Sequence, residues 1–449
     1  MEQTSLRVTV RKLEGDSLTP ILIFRRLVGH SRFLLESSVM HEGAGRYSFI
    51  GVNPVKAYRG SARRLEEYVF ATGKTYIHEG ELFSVLKRVM PQIAEVGDYP
   101  FMGGAVGYIG YGAACVNSMG QELPDVYFNV YDTVIIFDHL LHEVIVTHVE
   151  MDAERGKPDL DALLRMITEG EAEEDGKAEV SAYHCALSQE AFEKRVLQAQ
   201  AFIERGIVEQ VVLSRRLVAD FKGDPFALYR KLRKRNPSPY MYYMEFDGHT
   251  VLGASPESLV RVTNGVAMAN PIAGTRRRGR DKVEDAKLET ELRNDPKELM
   301  EHEMLVKLSC MELREFCEIE SIRLKRDMET VRYEHVMHLV SEVEGALRPN
   351  MHALDAIRAT LPAGTVTGSP KKAAMNIISS LEDEPRGVYG GAIGYIGMNG
   401  NIDFALAIRT MCVKDEKAYV QVGAGIVKDS VPALEFKETV NKARSLLEL

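Results

Sequence analysis

The chain has 449 residues, 45% hydrophobic and 27% charged, with 65 acidic against 56 basic side chains and a formal net charge of -9. That length allows two or three domains and a large buried core; the composition excludes a disordered chain, and the acidic balance excludes a broad nucleic-acid surface, which needs a basic stripe. Five dispersed cysteines suggest neither a disulfide framework nor a zinc site, and with a polar N-terminus and no apolar run of about eighteen residues the chain is expected to be soluble, untargeted and cytoplasmic.

In chain order, residues 101 to 150 read as sheet: "FMGGAVGYIGYG" is punctuated by glycine, and "VYFNVYDTVIIFDHLLHEVIVTHVE" carries β-branched and aromatic runs around a polar, hairpin-like "DHLLHE". Residues 152 to 182 are acidic and poor in aromatics, the pattern of a linker or excursion. A helix is expected in "SQEAFEKRVLQAQAFIERG", capped by Ser188 and ended by Gly206. Strands follow in "VEQVVLSRRLVADF" and on both sides of the turn signal "TNG". Further helices are expected at 283 to 316, 351 to 360, 370 to 381 and 432 to 447, with strands in "GVYGGAIGYIGMNGNIDFALAIRTMCV" and "KAYVQVGAGIV". Helices and hairpins come in blocks without βαβ alternation, which points to an α+β fold of large antiparallel sheets flanked by helices. The basic cluster Arg276, Arg277, Arg278 and Arg280 suits a local anion site or a loop. No stretch reads as a phosphate loop or a dinucleotide fingerprint.

Two helices share one pattern. In "KELMEHEML" Glu298 and Glu301 lie one turn apart with His302 beside them, and in "ALEFKETVNKA" Glu435 and Glu438 repeat that spacing. Each pair alone reads as a solvated helix face; two such faces meeting across one hard cation would make a Mg²⁺ site, because Mg²⁺ takes a few carboxylates together with waters and substrate oxygens. Arg409 in "FALAIRT" sits among apolar neighbours, so its guanidinium needs a carboxylate, either from the protein or from a substrate. Gly423 and Gly425 in "QVGAGIV" allow backbone amides to approach an anion, or a strand to bend. His338 in "HVMHLVSEV" is a candidate acid or base, or a core histidine with its hydrogen bonds satisfied.

"LGASPESL", "PIAGTRRRG", "KELMEHEMLV", "YEHVMHLVSEV", "LPAGTVTGSPKKAAM", "RGVYGGAIGY", "FALAIRT", "QVGAGIV" and "EFKETVNKA" occur in the order and spacing of the chorismate-utilising enzymes. Within that family the chain most closely resembles the anthranilate synthase component I branch. The likeness spans about 190 to 445, and "FLLESS" with "GRYSFIGVNP" extends it into the N-terminal half. It implies a regulatory region over 1–151 and a chorismate-binding catalytic region over 183–449, separated by the acidic segment.

Carried over residue by residue, the resemblance implies that Glu301 and Glu438 hold Mg²⁺, with Glu298 and Glu435 close by or acting through water, and that the ion binds the ring carboxylate of chorismate. Arg409 and Tyr389, helped by backbone amides at Gly423 and Gly425, would hold the enolpyruvyl carboxylate, with Thr365 at the ring-carboxylate end. Glu257 would protonate the departing C4 hydroxyl as a nucleophile attacks C2, and His338 would assist the loss of pyruvate. Gln210 stands where isochorismate and salicylate synthases carry a lysine that activates water, and Ala273 where aminodeoxychorismate synthases often carry a nucleophilic lysine. The first points to ammonia as the nucleophile, and the second to its direct attack at C2. The chain has no G-x-C-x-G glutaminase elbow, so the expected ammonia source is a separate glutamine amidotransferase subunit.

Leu34, Leu35, Glu36 and Ser37, with Pro239, Tyr240 and Met241, resemble the family's pocket for tryptophan as feedback inhibitor, Glu36 taking the amino group. Two motifs depart from the pattern. "KLSCMELREFC", from Lys307 to Cys317, replaces the usual charged Asp-Leu-x-Arg-Asn-Asp-Leu-Gly, and "TVTGSP" replaces Thr-Leu-Ser-Gly-Ala-Pro. Two alternatives to anthranilate formation therefore stand: synthesis of aminodeoxyisochorismate or aminodeoxychorismate, and a catalytically silent, tryptophan-binding paralogue.

Overall fold

A computed structural model describes residues 7–37, 45–93, 97–115, 123–151, 158–332 and 336–449. Among them two antiparallel sheets form, each a path of eleven strands with a twelfth paired beside it, Gly368–Ser369 against Gln210–Gly223 in the first and Arg323–Arg332 against Val336–Ala346 in the second. The first runs from Val8–Glu14 through Glu143–Val149, Thr133–Asp138, Tyr47–Gly51, Phe33–Glu36, Tyr240–Phe246, His249–Ser255, Thr410–Lys414 and Lys417–Ile426 to Gln210–Gly223 and Ala178–Val180. The second runs from Ile272–Arg277 through Val336–Ala346, Val266–Ala269, Ser258–Thr263, Ile402–Leu406 and Ala392–Gly397 to Gly104–Ile109, Val126–Tyr131, Lys56–Ser61, Arg64–Val69 and Lys74–Glu79. The α+β class expected from the blockwise sequence is the one that forms.

Each sheet is stitched from both halves of the chain. Glu36 pairs with Met241 in the first and Tyr108 with Ile393 in the second. Their facing sides meet in an aromatic core that includes Phe33, Phe49, Phe101, Tyr108, Tyr131, Tyr242 and Tyr395. Burial of each such ring stabilises the sandwich by roughly 1.5–3 kcal/mol. Outer faces are covered by helices: Leu82–Val89 and Ala353–Thr360 on the second sheet, and Pro20–Arg26, Leu160–Glu169, Pro225–Arg235 and Pro432–Leu447 on the first.

Local chemistry sets several elements. At "TNG", Asn264 and Gly265 have φ of 51° and 76°, the left-handed pair that a two-residue hairpin turn requires. The helix expected over 283 to 316 is two helices, Lys282–Arg293 and Pro296–Leu313, because Pro296 has no N–H to continue the first and Asp295 caps the second by accepting from the Lys297 and Glu298 amides at 3.0 and 3.3 Å. That break places Glu298 in a first turn. Three members of the arginine cluster are paired within the protein, Arg276 meeting Asp295 at 2.7 Å, Arg277 meeting Glu284 at 2.5 Å and Arg278 meeting Asp285 at 2.7 Å.

In the acidic segment, residues 152–157 lie outside the described ones, and the rest is ordered into the fold. Helix Leu160–Glu169 buries Ile167, and Ala178–Val180 pairs with Phe221–Gly223. Two of the acids that gave this stretch a linker's composition form ion pairs, Asp175 with Arg25 at 3.1 Å and Glu173 with Arg32 at 2.9 Å.

Candidate active site

The site is built where strand ends from both sheets meet. Glu257 occupies the short connection between His249–Ser255 and Ser258–Thr263. Its backbone is pinned to the end of Ile402–Leu406: the Leu406 amide donates to the Glu257 carbonyl at 3.0 Å, and the Ser255 hydroxyl to the Leu406 carbonyl at 2.7 Å. The Glu257 carboxylate accepts from the Thr365 hydroxyl at 2.9 Å. Burial pushes this carboxyl above the usual range, while Thr365 and the charge of Lys442 pull it back. A glutamate whose acid form is favoured by burial is a candidate proton donor.

Arg409 follows Ile402–Leu406 in a left-handed conformation, φ 50°. A side chain rarely adopts that backbone geometry, and such outliers concentrate at functional sites. Its guanidinium bonds Ser445 Oγ at 3.3 Å, and no carboxylate pairs with it among the described residues. Burial lowers its pKa, partly offset by Tyr389. The sequence left an internal salt bridge open as its role; the structure supplies no acid for one. Tyr389 is buried beside it and stays protonated, since burial holds its hydroxyl at about 12. Gly423 lies against Tyr389 so closely that a Cβ there would stand 2.5 Å from the tyrosine oxygen, and a Cβ at Gly425 would stand 2.6 Å from Gln210 Nε2. Glu257, Thr365, Tyr389, Arg409, Gly423, Gly425 and Gln210 are thus brought together.

Lys442 is a member of this site that sequence reasoning missed. It donates to the Gly423 carbonyl at 3.1 Å and pairs with Glu438 at 2.6 Å. Its spacing from Glu438 reads as an ordinary helix-face pair, so nothing local marks it out.

His338 sits on Val336–Ala346, its Nδ1 2.8 Å from the Gly274 carbonyl and 3.2 Å from Thr275 Oγ1. The first contact requires a proton on Nδ1 and leaves Nε2 as the basic nitrogen. Burial lowers its pKa, while the Gly274 bond and the charge of Glu298 raise it.

The four helical glutamates are not gathered into a closed ligand set. Glu298 is held by Arg276 at 3.0 Å and Glu438 by Lys442, while Glu301 is exposed. Helix Pro296–Leu313 packs on Ile272–Arg277 and Val336–Ala346, whereas Pro432–Leu447 packs on Lys417–Ile426 and helix Gln189–Glu204. Among the described residues no group of three His, Cys, Asp or Glu side chains is arranged to hold a metal. The donor chemistry suits a hard cation, four carboxylates at one-turn spacing, but two of them are already paired with basic side chains. His302 turns away to bond Ser341 Oγ at 2.7 Å. In the segment that departs from the family pattern one charge is kept in use, since Glu312 accepts from Lys371 at 3.1 Å.

A separate cavity of about 540 Å³ lies between the sheets and is lined by Glu36, Ser37, Pro239, Tyr240 and Met241, the residues singled out as an inhibitor pocket. Its size suits a small molecule. Glu36 is already satisfied there, accepting from Tyr229 at 2.6 Å and from Arg233 at 2.9 Å. Asp403, which sequence reasoning passed over, also lines it and accepts from the Tyr240 hydroxyl at 3.0 Å. A lone acid inside the apolar strand "IDFAL" was the available signal.

The family model for chorismate binding enzyme matches residues 35–448. The chain belongs to the chorismate-binding enzyme family. Curated relatives include anthranilate synthase component 1 of Lactococcus lactis subsp. lactis, 42% identical over 98% of this chain and 99% of the relative, and that of Aquifex aeolicus, 41% identical over 96% and 92%. The crystal structure of anthranilate synthase component I from Streptococcus pneumoniae TIGR4 superposes with a TM-score of 0.78 at 37% identity, covering 97% of this chain and 98% of the other. The menaquinone-specific isochorismate synthase MenF of Escherichia coli, 17% identical with a TM-score of 0.74, shares the fold. Within its family the chain is therefore an enzyme of the anthranilate synthase component 1 kind.

Proposed function

We propose that the chain aminates chorismate with ammonia at C2 and eliminates pyruvate to give anthranilate, the first step of tryptophan biosynthesis. The observation that carries this reading is Arg409, a half-buried guanidinium with no carboxylate partner among the described residues, next to a protonated Tyr389 and in the same cleft as a glutamate whose carboxyl is raised by burial. Such a pair of donors suits the enolpyruvyl carboxylate, which would supply the missing countercharge. Glu257 gives its proton to the C4 hydroxyl, which leaves as water while ammonia bonds C2. His338, basic at Nε2, assists the later departure of pyruvate. Gln210 has no titratable group to deprotonate water, which favours a nucleophile that needs no base.

Mg²⁺ would be held by Glu301 and Glu438, with Glu298 and Glu435 near, and would supply positive charge opposite the ring carboxylate. Ammonia would come from glutamine through a partner amidotransferase subunit, as the "component 1" of the relatives' names supports. Tryptophan would occupy the cavity lined by Glu36, Ser37, Pro239, Tyr240 and Met241 as feedback inhibitor. None of the five cysteines forms a disulfide, and no described helix is long and apolar enough to cross a membrane; thiols left unbridged support a cytoplasmic location.

The test is the purified chain with chorismate, Mg²⁺ and ammonium, following anthranilate fluorescence and pyruvate together, with and without tryptophan. Both products should appear, and tryptophan should suppress them. Neither product would sink the reading, and an aminated product that retains its enolpyruvyl group would replace it with an aminodeoxychorismate-type activity.

A further inference from the structure

Behind Tyr389 lies a second guanidinium with a different task. Arg386 is 5% exposed and directs its donors into the protein. Nε and Nη2 donate to the two Glu382 oxygens at 2.8 and 2.7 Å, Nη1 to the Val366 carbonyl at 2.6 Å, and Nη2 also to the Val212 carbonyl at 2.8 Å. Each carbonyl belongs to a wall of the active site. Val366 follows Thr365 in the short helix Gly364–Thr367, and Val212 stands opposite Gly425 in the strand register. The guanidinium carbon lies 4.6 Å from the Tyr111 ring centre and 5.6 Å from that of Tyr389.

Glu382 extends the connection. It accepts from the Ser214 amide and hydroxyl at 2.7 and 2.9 Å, Ser214 stands opposite Gly423, and Gln421 donates to the Ser214 hydroxyl at 2.8 Å. A buried ion pair is weak evidence for stability in its own right, since well-packed apolar side chains often serve as well. Apolar groups could not provide one planar fork that fixes three chain segments at set angles.

We infer that Arg386, oriented by Glu382, is a positioning residue that holds Thr365, Tyr389 and the glycine strand in register without touching substrate. The inference rests on the proposed reading of Tyr389 and Thr365 as substrate-facing. Small displacements matter in such a cleft, because the space between Tyr389 and Gly423 has no slack, and a misplacement of about 1 Å is enough to cost about 10²-fold in rate.

Arg386→Lys keeps the charge for Glu382 but has no planar fork to serve Glu382, Val212 and Val366 together. R386K, Y389F and the double variant are compared as full-length chains by calorimetric chorismate affinity and by kcat/KM, with Tm recorded for each. R386K should weaken chorismate binding about tenfold, and the double variant should be little worse than the weaker single variant, because the lysine acts through a displaced Tyr389. Effects on affinity that simply multiply would overturn the inference, whatever happens to Tm. Should R386K fail to fold, Ser214→Ala, which removes one Glu382 contact and leaves every charge in place, enters the same cycle with the same two outcomes. A wild-type chain that binds no chorismate removes this inference together with the reading beneath it; a wild-type chain that binds, with multiplying effects, removes this inference alone.

Discussion

The Thr365 hydroxyl donates to the Glu257 carboxylate at 2.9 Å, joining a short helix to a strand connection 108 residues away. This bond stabilises the charged form of an acid whose pKa burial raises. An acid that must be protonated to act loses activity as pH rises through its pKa. Thr365→Val removes one of the two groups that favour the carboxylate, so the pKa rises and the alkaline limb of the kcat/KM profile should move to higher pH while kcat falls. Glu257→Gln should lower kcat by about 10²–10⁴-fold. An alkaline limb that stays put or moves down in T365V would show that another group sets it.

Gly423 and Gly425 make a paired test of crowding. A methyl at 423 would meet Tyr389 Oη at 2.5 Å, the Leu213 carbonyl at 3.0 Å and Val212 Cγ1 at 3.1 Å, and a buried ring and a strand carbonyl have nowhere to go. A methyl at 425 meets only the end of the Gln210 amide within 3 Å, and that side chain can swing aside. Overpacking costs about 1–3 kcal/mol. Gly423→Ala should therefore raise KM for chorismate about tenfold or more, and Gly425→Ala should stay within about threefold. Equal losses in steady-state kinetics would mean that the two amides themselves, rather than the space above Gly423, decide binding.

The elements legible in the sequence were those set by local chemistry: the "TNG" hairpin, the Ser188 cap, and the E-x-x-E helix faces whose spacing is the helix period. Arg409 was legible as a charge in need of a partner, and only the packed structure shows that no acid among the described residues supplies one. Lys442 and Arg386 were not legible. Lys442 sits four residues after Glu438 and reads as an exposed helix pair, and Arg386 stands beyond the helix expected at 370 to 381 with no local pattern to mark it, yet Lys442 reaches the Gly423 carbonyl and Arg386 is buried under Tyr389. In the acidic segment Asp175 and Glu173 are answered by Arg25 and Arg32. These partners lie more than 140 residues away in sequence for Glu173, at a distance no local pattern reports.

Divalent-ion dependence should map onto Glu301 and Glu438. Chelation with EDTA should stop turnover, added Mg²⁺ should restore it, and Glu301→Gln should respond to neither. Lys442 competes for Glu438 across a half-exposed pair, worth about 0.2–1 kcal/mol after solvent screening. Lys442→Met should accordingly tighten calorimetric Mg²⁺ binding by up to about fivefold, even as it lowers turnover. Unaltered Mg²⁺ affinity in both Glu301→Gln and Glu438→Gln would place the ion elsewhere.

The inhibitor cavity can be tested apart from the chemistry. Tyr240 lines it and is tied to Asp403 at 3.0 Å, and neither residue belongs to the catalytic cleft. Tyr240→Ala removes a wall of the cavity, so the tryptophan concentration for half-inhibition should rise at least about tenfold, the loss expected for one large aromatic contact, while kcat without tryptophan remains close to that of the wild type. Inhibition unchanged in dose–response measurements would show that tryptophan binds at another place.

Arg409 gives the sharpest separation of function from stability. Its guanidinium is half-buried without a carboxylate among the described residues, and its backbone is held at φ 50°. An unpaired buried charge destabilises the empty protein, because desolvation is not offset by any countercharge. Arg409→Met keeps the length of the side chain and removes the charge, so the unliganded variant should be more stable than wild type by about 1–3 kcal/mol, seen as a rise in Tm. The same change deletes the partner of the enolpyruvyl carboxylate and should raise KM for chorismate about 10²-fold or more, in line with the 2–5 kcal/mol lost when one member of a buried charge pair is truncated. Wild type should gain Tm on adding chorismate and the variant should not, since a ligand stabilises only the state it binds. A lower Tm with an ordinary KM would make Arg409 a structural residue and leave the substrate carboxylate without its anchor.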